Sequence, residues 1–290
     1  MGGTKTIAAL IAVMAVAGCS RGPRAIRVGS KNFTEQVVLG EIIAQHIENR
    51  LHLPVERSLN LGGTLLAHQA LVGGQIDLYP EYTGTALTSV LKDAVNTDPA
   101  AVRARVRSEY ARRFQLDWLD PLGIDNGFAM VVRSSEKAGT LTAAAQQSTD
   151  PGWKLGVGYE FEQRADGLDA LKKTYGLRVA NIKTMDLGLL YQALENGQVN
   201  MIAANATDGL LSRGDLKILE DDKHAFPPYE VGIAVREAAL QATPGLRDAL
   251  MQLSGKFTNA KMQQLNFQVD VRHESVAQVA RDFLQQAGLK

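Results

Sequence analysis

The stretch AIRVGSKNFTEQVVLGEIIAQHIENRL, residues 25–51, decides the fold. Ala25 to Gly29 is a short apolar run of strand character, and Thr34 to Leu51 carries Val37, Val38, Ile42, Ile43 and Ile47 on one helical stripe. Asn32 or Thr34 is placed to cap the helix start. A strand feeding a helix through a short loop is the building unit of a parallel sheet covered by helices. It also leaves Lys31 just past the carboxyl end of the strand.

The same alternation continues outward from this unit. Strands are predicted at 55–59, 76–79, 127–133, 154–158, 181–184, 199–204 and 231–236. Helices are predicted at 64–72, 85–92, 100–114, 140–147, 163–175, 187–196, 245–254, 258–267 and 274–287. The class is α/β, with mainly parallel sheets covered on both faces. A chain of 290 residues is long enough for two lobes. Two sheets leave a cleft, and ligands in open α/β folds sit outside the carboxyl ends of the strands.

Residues just after the predicted strands are therefore the candidates for a site. Lys31 follows the first strand. Gly62-Gly63-Thr64 opens a helix after the second, so that its N–H groups are placed to face an anion. The run from Asp77 to Thr85 follows the third. Arg164 begins the helix after strand 154–158, and Tyr229 follows Pro227-Pro228 where the chain returns to the first lobe. Blander roles go to Tyr79, Trp118 and Trp153, which read as packing residues, and to Asp208, which is placed to cap the segment after it.

Composition narrows the function. Hydrophobic residues make up 45% and charged residues 21%, and Lys+Arg equals Asp+Glu at 31 each. That balance offers no basic surface for a dominant nucleic-acid partner. The histidines at 46, 52, 68, 224 and 273 lack metal-ligand spacing. No Gly-x-Ser-x-Gly or P-loop pattern occurs, and no nucleophile–base pair stands out. No catalytic residue, metal or cofactor is expected.

The N-terminus reads as an export signal. Lys5 supplies the positive region, and Ile7 to Val16 is an apolar run of about ten residues, a secretory core and not a membrane span. The run ends in Val16-Ala17-Gly18-Cys19, which resembles the lipobox of bacterial lipoproteins. Cys19 is the single cysteine of the chain, so no intrachain disulfide forms. Residues 1–18 are expected as the signal peptide, Cys19 as the lipidation site, and residues 19–25 as a tether. The protein is then expected on the periplasmic or cell-surface face of a bacterial membrane.

Six motifs carry a resemblance: GSKNFTEQ (29–36), LGGT (61–64), DLYPEYTG (77–84), EFEQRADG (160–167), TDG (207–209) and FPPY (226–229). Together they resemble the glycine betaine/choline/carnitine-type substrate-binding proteins of osmoprotectant ABC transporters, from about residue 25 to the end. The resemblance implies a two-lobed periplasmic-binding-protein fold of type II with a hinged interdomain cleft. Lobe I would comprise residues 26–127 and 230–290, and lobe II residues 128–229. It also implies a small zwitterionic or quaternary ammonium ligand, and ABC permease and ATPase subunits as partners.

The family holds a carboxylate in a cationic pocket and a quaternary ammonium in an aromatic box. A trimethylammonium group has no N–H to donate, so ring faces must attract it, each contributing about 0.5–2 kcal/mol. Carried over residue by residue, the resemblance assigns the carboxylate to Lys31, Thr85 and Arg164, although Thr85 is also placed to cap the next helix. It assigns ring walls to Tyr82, Tyr229 and Phe128, the last at a position where tyrosine is usual. Asn205 departs from the pattern, which has an aromatic residue there. Its amide, both donor and acceptor, suits a ligand with extra polar groups, such as carnitine, ergothioneine or an amino-acid-like zwitterion. A ligand sensor with the same fold is the other reading.

Overall fold

A computed structural model describes residues 25–290; the expected signal peptide, Cys19 and the tether up to residue 24 lie outside the described residues. The opening stretch forms β1 (Ile26–Gly29) and a helix over Thr34–Leu51. Val38, Leu39, Ile42, Ile43 and Ile47 are buried on the helix face that packs on the sheet. The cap differs from expectation. Phe33 is the N-cap and no side chain caps the helix. Thr34 instead turns its hydroxyl to Asp270, at 2.6 Å.

The remaining strands are β2 (Val55–Ser58), β3 (Leu78–Tyr82), β4 (Leu116–Trp118), β5 (Phe128–Arg133), β6 (Lys154–Val157), β7 (Asn181–Thr184), β8 (Met201–Asn205), β9 (Leu216–Ile218) and β10 (Val231–Arg236). They form two five-stranded sheets among the described residues, ordered β2-β1-β3-β10-β4 and β7-β6-β8-β5-β9. Each sheet belongs to one lobe of a two-lobed α/β fold. The sheets are mixed, not mainly parallel: β10 is antiparallel to β3 and β4, and β5 to β8 and β9. The reason lies in the chain path. Parallel strands of each lobe end at the cleft, at Tyr82 and Asn205, whereas a strand arriving from the other lobe must start there. Thus Val231 pairs with Tyr82, and Phe128 with Asn205.

The chain passes between the sheets twice, through residues 119–127 and 219–230. The two crossings touch at an Asp125–Glu230 bridge, and the Tyr229 N–H donates to the Asp125 carboxylate at 2.8 Å. Trp118 and Trp153 are buried within the lobes. Gly232 lets β10 pass Trp118, since a Cβ there would lie 2.4 Å from the indole nitrogen. Among the described residues no helix is long and apolar enough to cross a membrane.

One further departure shapes the site. The helix expected over 163–175 is two helices, Tyr159–Gln163 and Leu168–Tyr175. Arg164 between them has extended backbone, φ −81° and ψ 141°. Gly167 makes the break possible, because a Cβ there would sit 2.1 Å from the Phe161 carbonyl oxygen. The interruption frees Arg164 from the helical register.

Candidate functional site

A cavity of about 430 Å3 lies between the lobes. Its wall includes all seven residues nominated from sequence: Lys31, Tyr82 and Thr85 from around the ends of β1 and β3, Phe128 and Asn205 from β5 and β8, Arg164 from the helix break, and Tyr229 from the second crossing. Residues separated by up to 198 positions (229 − 31) therefore meet at one place because the strand ends of both sheets converge there.

The two cations are held by carboxylates of their own lobes. Lys31 is 3% exposed, and its Nζ donates to Glu81 Oε1 at 2.5 Å and to Thr64 Oγ1 at 3.1 Å. Arg164 donates Nε and Nη2 to Asp166 at 2.9 and 2.6 Å, and Nη1 to the Thr85 hydroxyl of the other lobe at 3.1 Å. Burial would raise the Asp166 carboxyl, but the Arg164 guanidinium outweighs it and holds it below the usual carboxylate range. Thr85 has no side-chain capping bond to the following helix; its hydroxyl serves Arg164. An ammonium has three N–H groups and a guanidinium five. One hydrogen on Lys31 and one on each terminal nitrogen of Arg164 thus lie outside these bonds, and Glu160 Oε2 stands 3.8 Å from Arg164 Nη1.

The rings cluster beside these cations. Phe128 meets Tyr229 at 5.4 Å and Phe161 at 4.8 Å, both edge to face. Tyr82 stacks with Phe33 at 6.1 Å. The Arg164 guanidinium lies 5.0 Å from the Phe128 centroid and 5.7 Å from that of Tyr229, and Lys31 Nζ lies 4.9 Å from that of Tyr82. Such ring faces attract cations. Asn205 stands directly across the ladder from Phe128. Its amide nitrogen donates to Asp208 at 3.2 Å, leaving the amide oxygen as an acceptor. Asp208 also accepts from the Asn205 N–H and the Tyr191 hydroxyl, and does not cap the segment that follows it.

Sequence reasoning passed over the groups that fix these side chains. Glu81 and Asp166 lie inside the quoted motifs but are fully buried, and only structure reveals which cation each one holds. Glu35, one position after Thr34, accepts from the Tyr82 hydroxyl at 2.7 Å, from Asn126 at 2.9 Å and from the Thr207 hydroxyl at 2.5 Å. It therefore ties a cavity wall to the first crossing and to the segment that follows β8 in the other lobe. Burial pushes its carboxyl up to about 7 against the pull of these three donors, with Asp208 adding repulsion. Glu160 and Phe33 also line the cavity. The acids that flank Arg164 in EFEQRADG were the available signal for Glu160 and Asp166, whereas DLYPEYTG has no cation to mark Glu81. Among the described residues no group of three or more His, Cys, Asp or Glu is placed to hold a metal ion.

Known proteins resemble the chain over nearly its whole described length. The profile for the substrate binding domain of ABC-type glycine betaine transport systems matches residues 24–286. The carnitine transport binding protein OpuCC of Listeria monocytogenes is 33% identical over 264 residues, covering 90% of this chain and 86% of that protein. The ergothioneine transport permease/ergothioneine binding protein EgtU of Helicobacter pylori is 33% identical over 267 residues. That match takes 90% of this chain but 47% of the relative, so the chain spans about half the relative's length. A crystal structure of a glycine betaine/carnitine/choline ABC transporter protein superposes with a TM-score of 0.76 at 28% identity, covering 91% of this chain and 99% of the other. With cavity, fold and profile in agreement, the chain belongs to the family of substrate-binding domains of ABC-type glycine betaine transport systems, binding proteins and not enzymes.

Proposed function

We propose that this protein captures a small quaternary ammonium solute of the betaine class between its lobes and delivers it to an ABC permease driven by an ATPase. The observation that carries the reading is the meeting, on one cavity, of two cations and three ring faces drawn from both lobes and a crossing. In this reading the remaining hydrogens of Lys31 and Arg164 take the ligand's carboxylate, with Thr85 holding Arg164 in place. Charge-assisted bonds of this kind are roughly twice as strong as neutral ones. Tyr82, Phe128 and Tyr229 face the trimethylammonium group. Lobe I comprises residues 26–127 with 230–290, and lobe II residues 128–229. A ligand touching both favours the closed arrangement by its differential affinity.

Asn205 directs the choice within the class. Its free amide oxygen supports a ligand carrying an N–H or O–H donor beyond the trimethylammonium group. Carnitine and ergothioneine, named for the Listeria and Helicobacter relatives, have such donors. We also propose that Cys19 carries a lipid that anchors the protein outside the cytoplasm.

A thermal-shift screen over glycine betaine, choline, carnitine, ergothioneine and proline betaine, followed by calorimetry, tests the function. At least one compound should raise Tm and bind with one-to-one stoichiometry. A flat response to all five contradicts the reading.

A further inference from the structure

Glu160 reaches across the cleft. It lies on the short helix Tyr159–Gln163 of lobe II, yet its carboxylate accepts from the Thr64 N–H at 2.7 Å and from the Thr64 hydroxyl at 3.1 Å. Thr64 is the first residue of the lobe I helix Thr64–Val72, whose N-cap, Gly63, has no side chain to offer. The first turn of a helix has N–H groups without intrahelical partners and favours negative charge. Here the opposite lobe supplies both acceptor and charge.

The approach is built into the sequence at Gly63. Its φ of −75° is open to any residue, so conformational freedom is not the reason for glycine. A Cβ at this position would lie 2.4 Å from Glu160 Oε1, so a side chain would push the carboxylate away. The Thr64 hydroxyl that donates to Glu160 also accepts from Lys31, which is paired with Glu81. A continuous polar chain, Glu81–Lys31–Thr64–Glu160, thus runs from the core of one lobe to the edge of the other. Burial would raise the Glu160 carboxyl, but Lys31, the Thr64 N–H and Arg164 outweigh it and keep it ionised.

We propose that Glu160 is a positioning residue that latches the lobes, raising the closed fraction of the free protein and slowing release of any ligand. The proposal deepens the capture function and rests on it for the ligand-release part only. A binding-competent state that is populated only in part weakens apparent affinity by that fraction, whatever the ligand. The latch therefore acts equally on ligands of different charge, which a direct contact between Glu160 and the ligand would not.

The test uses Glu160→Gln, which removes the charge, and Gly63→Ala, which displaces the carboxylate without altering it. Hydrogen exchange at the Thr64 amide is followed in the ligand-free protein. Affinity and dissociation rate are followed for glycine betaine, which is zwitterionic, and choline, which is cationic. Both variants should exchange the Thr64 amide faster. Gly63→Ala should bind the two ligands more weakly by one common factor, about three- to tenfold, carried mainly by dissociation. Glu160→Gln should also release both faster, with an added difference between them because its charge lies beside Lys31 and Arg164. Tm should stay close to wild type. Unchanged exchange at Thr64 in Gly63→Ala overturns the latch. So do affinity changes in Gly63→Ala that differ between the two ligands, or faster exchange with unchanged dissociation. If wild type binds neither ligand, the capture reading fails for those compounds, while the exchange experiment still decides whether the cross-cleft bond holds the lobes.

Discussion

Arg164 and Thr85, on opposite lobes, are joined by a hydrogen bond of 3.1 Å from Nη1 to the threonine hydroxyl. Thr85→Val keeps the shape and removes the acceptor. Arg164 retains Asp166 in that variant, so stability should change little. We expect affinity for the best ligand to fall about three- to tenfold, the loss of one charge-assisted bond, with Tm nearly constant. Calorimetry on the variant checks this; unaltered affinity would remove Thr85 from the binding account.

Arg164 itself has two roles, and its removal should reveal both. Asp166 is fully buried and paired with Arg164 in a fork. Arg164→Ala should weaken binding at least tenfold and also lower stability by roughly 3 kcal/mol, since a buried carboxylate loses its cationic partner while keeping the Tyr229 hydroxyl, at 2.8 Å. Adding Asp166→Asn should return part of that stability but not the affinity. Denaturant melts of the single and double variants measure it.

The Glu35 carboxyl predicts a pH dependence with a definite sign. Its value in the fold, about 7, lies above the ordinary 4.5, so the folded state binds the proton more tightly than the unfolded chain. The stabilisation is complete below about pH 4.5 and is lost as pH rises through about 7. The displacement corresponds to roughly 3 kcal/mol. The titration is set among Asp208, which faces Glu35, and the donors Tyr82, Asn126 and Thr207. Glu35→Gln removes the group. The Tm of the variant minus that of wild type should become more positive between pH 5 and pH 8.5, by several degrees. A constant difference would contradict the burial argument.

Asn205→Tyr puts a ring opposite Phe128. It should improve glycine betaine binding by up to about thirtyfold, the upper range of one ring contact. The same change should weaken binding of carnitine or ergothioneine, which would lose the amide acceptor. A parallel shift for all three ligands would mean that Asn205 does not choose among them.

Cys19 predicts a covalent lipid. Mass spectrometry of protein recovered from membranes should show Cys19 as the acylated N-terminal residue, and Cys19→Ala should release the protein from the membrane. A membrane-bound Cys19→Ala protein would contradict the anchor.

The α/β class and most element positions were legible because hydrophobic periodicity is a local property. Val37 to Ile47 reads as a helix face in any context. Strand direction was not legible: β5 and β10 run against their neighbours because each enters its sheet from the other lobe, a consequence of chain path. The break at Arg164 was hidden too, because helical periodicity continues across it and the crowding that forbids a Cβ at Gly167 is tertiary. Lys31 and Arg164 could be nominated from their motifs, but the carboxylates that hold them depend on long-range pairing. Glu35 reads as an ordinary first-turn acid; its burial among Tyr82, Asn126 and Thr207 exists only once the first crossing and the end of β8 are packed against it.

The central claim is that ring faces hold a positive charge and not merely a hydrophobic shape. Glycine betaine and tert-butylacetate share their carboxylate and outline and differ in one atom, the quaternary nitrogen replaced by carbon. Calorimetric titration of both into the wild-type protein separates charge from shape. We predict that glycine betaine binds at least about tenfold more tightly, as expected for cation–π contacts in a desolvated site. Equal affinity for the two compounds, or binding of the carbon analogue alone, would contradict the account.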